Sequence, residues 1–132
     1  MVFKLTNRKL QLSDNFLTIA RKEIQGELEG LQKILSLCGS DIDISHNAQS
    51  IERHLHKIKG LAPMMGQNAV GEIAKMIDAI LKHVVMKGTL AGTYQILLES
   101  NLIMREIFNG STIKNADKFK NKLRQNFSEI LD

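Results

Sequence analysis

The stretch HLHKIKGLAPMMG, residues 54–66, decides how the rest of the chain is read. Leu55, Ile58, Ala62 and Met65, with Ile51 ahead of them, recur at the spacing of one helix face. Yet the stretch also holds a glycine and a proline, the residues a helix interior tolerates worst, by about 1 and about 3 kcal/mol relative to alanine. A helix built this way gives its second face to something other than packing.

The same apolar spacing extends outward in both directions. A first helix is predicted over about 13–37, with Ser13 as its N-cap and Phe16, Ala20, Ile24, Leu28, Leu31 and Leu35 on one face. Gly26 and Gly30 fall on the opposite side, where two weak solvent positions are expected. CGSDIDISHN (38–47) is expected as a loop, since the alternating DIDIS within it is short for a strand. The second helix, about 47–65, starts near Asn47 and is broken by GQN at 66–68. The third, about 68–87, carries Val70, Ile73, Ala74, Ile77, Leu81 and Val84 and ends before Gly88. The fourth, about 91–108, presents Tyr94, Leu97, Leu98, Ile103 or Leu102, and Ile107, and ends at NGST. The fifth, about 115–131, has Asn115 as its cap and Phe119, Leu123, Phe127 and Ile130 facing inward. Five amphipathic helices with short connections predict an all-α bundle with antiparallel neighbours.

The 132 residues predict a single domain, 1–132, with a hydrophobic core. Hydrophobic residues make up 43% and aromatics only 5%, without tryptophan, so the core is aliphatic and methionine fills its gaps. The single cysteine, Cys38, excludes an internal disulfide and a thiolate zinc site. No run approaches the about 18 apolar residues of a membrane span. The start of the chain has no continuous apolar signal region, so no membrane role and a cytoplasmic location are expected. A net charge of +4 favours an acidic partner.

Around the second helix, at about 100° per residue, His56 falls about 140° from the core centre, Gly60 about 180°, and Lys59 about 80°. His56 therefore points to solvent, and Gly60 clears space beside its ring. His54 lies about 160° around the helix from His56, so the two cannot chelate one ion. His46 and His83 have no ligand-like spacing either, and no metal or cofactor is expected. On the third helix, Gly71, Lys75, Asp78 and Lys82 form a polar flank. In an antiparallel hairpin turning near Gln67, Asp78 is level with His56. An exposed imidazole with a carboxylate beside it and an ammonium on its flank suits a nucleophile. The carboxylate fixes the ring tautomer and the ammonium offsets phosphoryl charge. No second catalytic group is evident, so an enzyme is not expected.

HKIKGLAPMMG (56–66) resembles the signature of histidine-containing phosphotransfer (HPt) domains, with His56, Lys59, Gly60, Ala62 and Gly66 keeping the pattern. FLTIARKEIQGELEGLQKILSL (16–37), VGEIAKMIDAIL (70–81) and YQILLESNLIMREIF (94–108) are similar to further helices of the phosphotransfer domain of CheA-type chemotaxis kinases. The resemblance implies an antiparallel four-helix bundle with a fifth C-terminal helix. It implies His56 as phosphoacceptor, Lys59 as the flanking ammonium and Gly60 as steric clearance. Asp78 stands where those domains use a glutamate to orient the imidazole, and Lys75 where they can carry another polar group. The implied partners are a histidine kinase and a response-regulator receiver domain, whose own Mg²⁺ serves the transfer. Free-standing or as the substrate module of a larger chemotaxis-like kinase, the chain would act as a phosphocarrier, and without a nucleotide-binding motif of its own it cannot use ATP alone.

Leu61 departs from the small or polar residue usual there, and Pro63 removes the hydrogen bond to the carbonyl of Lys59, so a kink or break is expected between 59 and 63. These departures leave open an HPt-like adaptor that binds without transferring phosphate. A basic nucleic-acid-binding module is a further alternative, resting on Lys114, Lys118, Lys120, Lys122 and Arg124. Those charges spread around the polar side without interleaved aromatics, which fits a solvated face better.

Overall fold

A computed structural model describes the backbone of residues 2–111 and 114–132 and the side chains of residues 14–111 and 116–132. The described residues form helices α1 (Val2–Ser36), α2 (Asp41–His46), α3 (Ala48–Leu61), α4 (Asn68–Lys87), α5 (Thr93–Phe108), α6 (Lys114–Asn126) and α7 (Ser128–Leu131), with a 3-10 turn at Pro63–Met65 between α3 and α4. No strand occurs among them, and no helix is long and apolar enough to cross a membrane.

Each long helix buries the stripe its spacing dictates. Ala20, Ile24, Leu28, Leu31 and Leu35 of α1 are buried, as are Ala48, Ile51, Leu55 and Ile58 of α3. Phe16, assigned to the same stripe, is 39% exposed. In α4 burial extends most of the way round, over Val70, Ile73, Ala74, Ile77, Ile80, Leu81 and Val84 and also Gly71 and Asp78. A helix apolar on so many sides must be covered on all of them. Accordingly α3, α5, α6 and α7 all pack on α4, the α3–α4 pair most extensively, while α1 packs on α3 and α5.

Several boundaries differ from expectation. The backbone of α1 is helical from Val2, so Ser13 lies inside the helix rather than at its cap; residues 2–12 contain no glycine or proline to stop it. The segment expected as loop holds α2. Ser40 Oγ accepts the Asp43 N–H at 3.2 Å, and the Asp43 carboxylate accepts the Gly39 N–H at 2.8 Å. These two bonds satisfy orphan donors at the helix start, and Ile44 anchors the turn in the core. The buried face of α5 is rotated from the expected one: Ile96, Leu97, Ser100, Asn101 and Met104 are inside, whereas Leu98 and Leu102 are exposed. Asn101 is accommodated because its side-chain amide donates to the Leu28 carbonyl at 3.3 Å. The last helix divides at Phe127 into α6 and α7, and Asn115, its expected cap, lies outside the described side chains. Phe119, Leu123 and Phe127 are buried as predicted.

The break between 59 and 63 is real. α3 stops at Leu61, and the Ala62 carbonyl accepts N–H groups from Met65 and Gln67 at 3.1 and 2.9 Å. Gly66 takes φ +77, the left-handed conformation that closes the turn. The turn folds α3 and α4 back along each other, with Pro63 against Gly71 and Lys59 against Asp78.

Candidate functional site

The hairpin brings together two residues that are 22 apart in sequence. His56 Nδ1 lies 3.7 Å from Asp78 Oδ2; the His56 side chain is 61% exposed and that of Asp78 is 0% exposed. At that distance the contact is longer than a direct hydrogen bond, in keeping with a carboxylate on the short aspartate side chain. Nδ1 is thus the ring nitrogen turned toward the protein. Among the described residues no ion pair or hydrogen bond engages Nε2.

Asp78 is the centre of the cluster. Lys59 Nζ donates to its Oδ2 at 3.2 Å, and Lys82 Nζ reaches the same oxygen at 3.2 Å. Burial works to raise the Asp78 carboxyl, but bonds from Glu52, Lys59 and Lys82 outweigh it and hold the group below its ordinary value. Glu52, one turn before His56 on α3, brings Oε2 to 3.9 Å from His56 Nδ1. Hydrogen bonding to Asp78, and then burial, push the Glu52 carboxyl above the usual carboxylate range. Asp78 raises Lys82 in turn by the same pairing, first through its hydrogen bond to the ammonium and then through its charge. The result is a buried anion held ionised by two ammonium groups, with an imidazole over it.

Gly60 is exposed, and no atom lies within 4 Å of where a Cβ would stand, so approach to the ring is open. Gly66 serves the turn. Lys75 is exposed and lines a shallow pocket with Lys59, Pro63, Asn68, Gly71 and Glu72; it forms no ion pair with Asp78 among those described. Side chains on a helix lean toward its N-terminus, so Lys82 reaches back over Asp78 while Lys75 leans away from it. Sequence reading placed Lys82 on the polar flank without a role, and passed over Glu52. The signal for both was present: each stands four residues from a site residue, Glu52 before His56 and Lys82 after Asp78.

The other histidines lie elsewhere. His54 is half-buried, with Nδ1 2.5 Å from Glu27 Oε2, and Lys57 Nζ is 3.4 Å from Glu27 Oε1. Its ring occupies the room left by Gly30, where a Cβ would come within 2.6 Å of the ring. Gly30 is therefore a close-approach position and not the solvent position expected, whereas Gly26 is open. His46 is exposed and His83 half-buried.

Comparison with family models, with curated protein sequences and with solved structures finds no match to this chain.

Proposed function

We propose that the chain is a phosphocarrier in which His56 accepts a phosphoryl group and passes it to a receiver aspartate. The observation that carries this reading is the exposed imidazole whose Nδ1 faces a wholly buried carboxylate, Asp78, at 3.7 Å. With the ring proton on Nδ1, the Nε2 lone pair is directed away from the carboxyls. It attacks phosphorus, and the new N–P bond forms as the bond from phosphorus to the donor's leaving atom breaks. The electron pair leaves with that atom, an oxygen in a nucleotide or acyl phosphate and a protonated nitrogen in phosphoramidate. The positive charge that develops on the ring is faced by Asp78, which stabilises it. Lys59 and Lys82 keep Asp78 ionised. Gly60 leaves room for the phosphoryl oxygens.

The reading goes with an antiparallel four-helix bundle of α1, α3, α4 and α5, closed by α6 and α7 on the remaining side of α4. It goes also with cytoplasmic partners: a histidine kinase as donor, and a receiver domain whose acidic mouth suits the basic chain. The resemblance of residues 56–66 to HPt signatures supports it. The nucleic-acid reading is weakened because Lys120 pairs with Glu72 and Asp117, and Lys122 with Glu99.

The test is direct. Phosphoramidate, a small phosphoryl donor, is expected to add one phosphoryl group that is labile in acid and stable in base, with the ³¹P signal of an Nε2-phosphohistidine. His56→Gln is expected to take none. Equal labelling of that variant would sink the assignment. A phosphorylated wild type that binds a receiver but never loses its label to it would leave the adaptor reading in its place.

A further inference from the structure

Beneath the imidazole, two buried carboxyl oxygens, Asp78 Oδ1 and Glu52 Oε2, have no N–H or hydroxyl donor, and nothing to satisfy them beyond the bond between the two carboxyls themselves. Buried acceptors are ordinarily satisfied, and an exception asks for an explanation. Lys59 and Lys82 both converge on the other Asp78 oxygen, Oδ2, and so leave Oδ1 unmet.

One ligand atom each from Glu52, His56 and Asp78 lies within 4.8 Å of the others. Two of the separations are 3.9 Å (His56 Nδ1 to Glu52 Oε2) and 3.7 Å (His56 Nδ1 to Asp78 Oδ2). Bonds of about 2.0–2.1 Å at tetrahedral angles place the ligands of Zn²⁺ about 3.4 Å apart. The imidazole is therefore a few tenths of an ångström from ligating geometry with each carboxylate, and the long Glu52 side chain can make up the rest. Glu52 and His56 stand at i and i+4 on α3, the spacing that lets one helix offer two ligands to a single ion. The adjoining helix contributes the third.

We infer that Glu52, His56 and Asp78 form a binding site for a zinc-like divalent cation, with solvent at the fourth position. An imidazole with two carboxylates selects zinc, nickel or copper over Mg²⁺, which prefers six oxygen ligands. The exposed ring and the open space at Gly60 give the ion and its water a way in. Lys59 and Lys82 neutralise Asp78 in the absence of metal. Their side chains are 32% and 50% exposed, so both ammonium groups can withdraw to water when the cation takes over that charge.

Metal on Nδ1 obliges the ring proton to reside on Nε2, and the lone pair that would attack phosphorus is lost. Cation and phosphoryl group are then mutually exclusive at His56. Only this consequence rests on the phosphotransfer reading; the cation site does not.

The experiment is calorimetric titration of the full chain with ZnCl₂, and separately with MgCl₂, in chelator-treated buffer. One equivalent of zinc and no measurable magnesium are expected to bind. Glu52→Gln and His56→Gln are each expected to weaken zinc at least tenfold while keeping the wild-type circular dichroism. Lys82→Met, which removes a competing ammonium, is expected to tighten it several-fold, a change no merely structural role predicts. Unaltered zinc affinity in Glu52→Gln and His56→Gln, or loss of binding in His54→Gln instead, would overturn the site. Phosphoramidate labelling in the presence and absence of zinc reads the consequence separately. Suppression that a chelator reverses supports exclusion, and unchanged labelling of zinc-saturated protein refutes it. Titration needs no phosphoryl donor and labelling needs no metal, so each reading fails on its own.

Discussion

Gly71 determines how closely the two halves of the site approach. A Cβ at this position would stand 2.8 and 2.9 Å from Pro63 Cγ and Cδ, inside any tolerable contact. The proline ring cannot rotate out of the way, so α3 and α4 would have to part. Pro63 thereby acquires a structural reason: it ends α3, opens the 3-10 turn and seats that turn on the bare backbone of α4. Gly71→Ala is expected to destabilise the fold by about 1–3 kcal/mol, the range of overpacked cores, despite the better helix propensity of alanine. Urea denaturation measures it. Gly30→Ala makes an informative contrast. Its Cβ would meet the His54 ring at 2.6 Å, but an imidazole can turn aside, at the cost of its bond to Glu27. The propensity gain of about 1 kcal/mol over glycine offsets part of that loss, so Gly30→Ala is expected to cost less than Gly71→Ala. A larger cost at Gly30 would show that the His54–Glu27 pair holds α1 to α3 more firmly than an imidazole free to turn allows.

Helix α2 owes its place to a contact made across the fold. Asp41 accepts the Gly92 and Tyr94 N–H groups at 2.9 and 2.7 Å and the Thr93 hydroxyl at 3.3 Å. It thus caps α5, whose own N-cap residue, Gly92, has no side chain to offer. Burial works to raise the Asp41 carboxyl, but the donations from Tyr94, Gly92 and Thr93 outweigh it and hold the group below its ordinary value. A carboxyl depressed in the folded state contributes stability above its unfolded pKa of about 3.9, and the contribution is lost as pH falls through the lower folded value. Asp41→Ala is therefore expected to cost about 1–2 kcal/mol at neutral pH, the range for a lost cap. The gap from wild type should close as the medium is acidified below about pH 4. Urea titrations at neutral and acid pH test this, and a gap independent of pH would rule the mechanism out. The same residue explains part of why α2 was passed over: the Ser40–Asp43 cap is a local signal, but the contacts of Asp41 that seat so short a helix lie about fifty positions away, where no local pattern encodes them. The long helices were legible because their apolar stripes are local and periodic. His56, Lys59, Gly60 and Asp78 were legible because helix angle and hairpin register suffice to place them. Glu52 and Lys82 needed more, namely the direction in which each side chain leans once the two helices are packed.

In the whole molecule, the site and the core are kept apart by α4. One edge of this helix carries Asp78 and Lys82 under His56, while α3, α5, α6 and α7 pack on its apolar sides and leave Glu72, Lys75 and Met86 exposed. The carboxylate under His56 therefore rides on a helix that four others hold in place, and changes to the exposed side chains of the cluster should leave the core indifferent. His56→Gln, on the open surface, is expected to alter stability by no more than about 0.5 kcal/mol. Ile77 and Leu123 are both fully buried, one at the centre of α4 and the other on α6 near the end of the chain. If α6 belongs to the same cooperative unit, Ile77→Ala and Leu123→Ala should each cost about 2–5 kcal/mol, the transfer and cavity terms of a lost aliphatic side chain. Both should do so within a single transition. Circular dichroism and Tyr94 fluorescence, followed through one urea titration, provide the check. Coincident curves with a shifted midpoint in both variants are expected. A Leu123→Ala protein that loses helix signal before the Tyr94 signal moves would mean that α6 unfolds by itself, and that α4 is held under His56 by α3 and α5 alone.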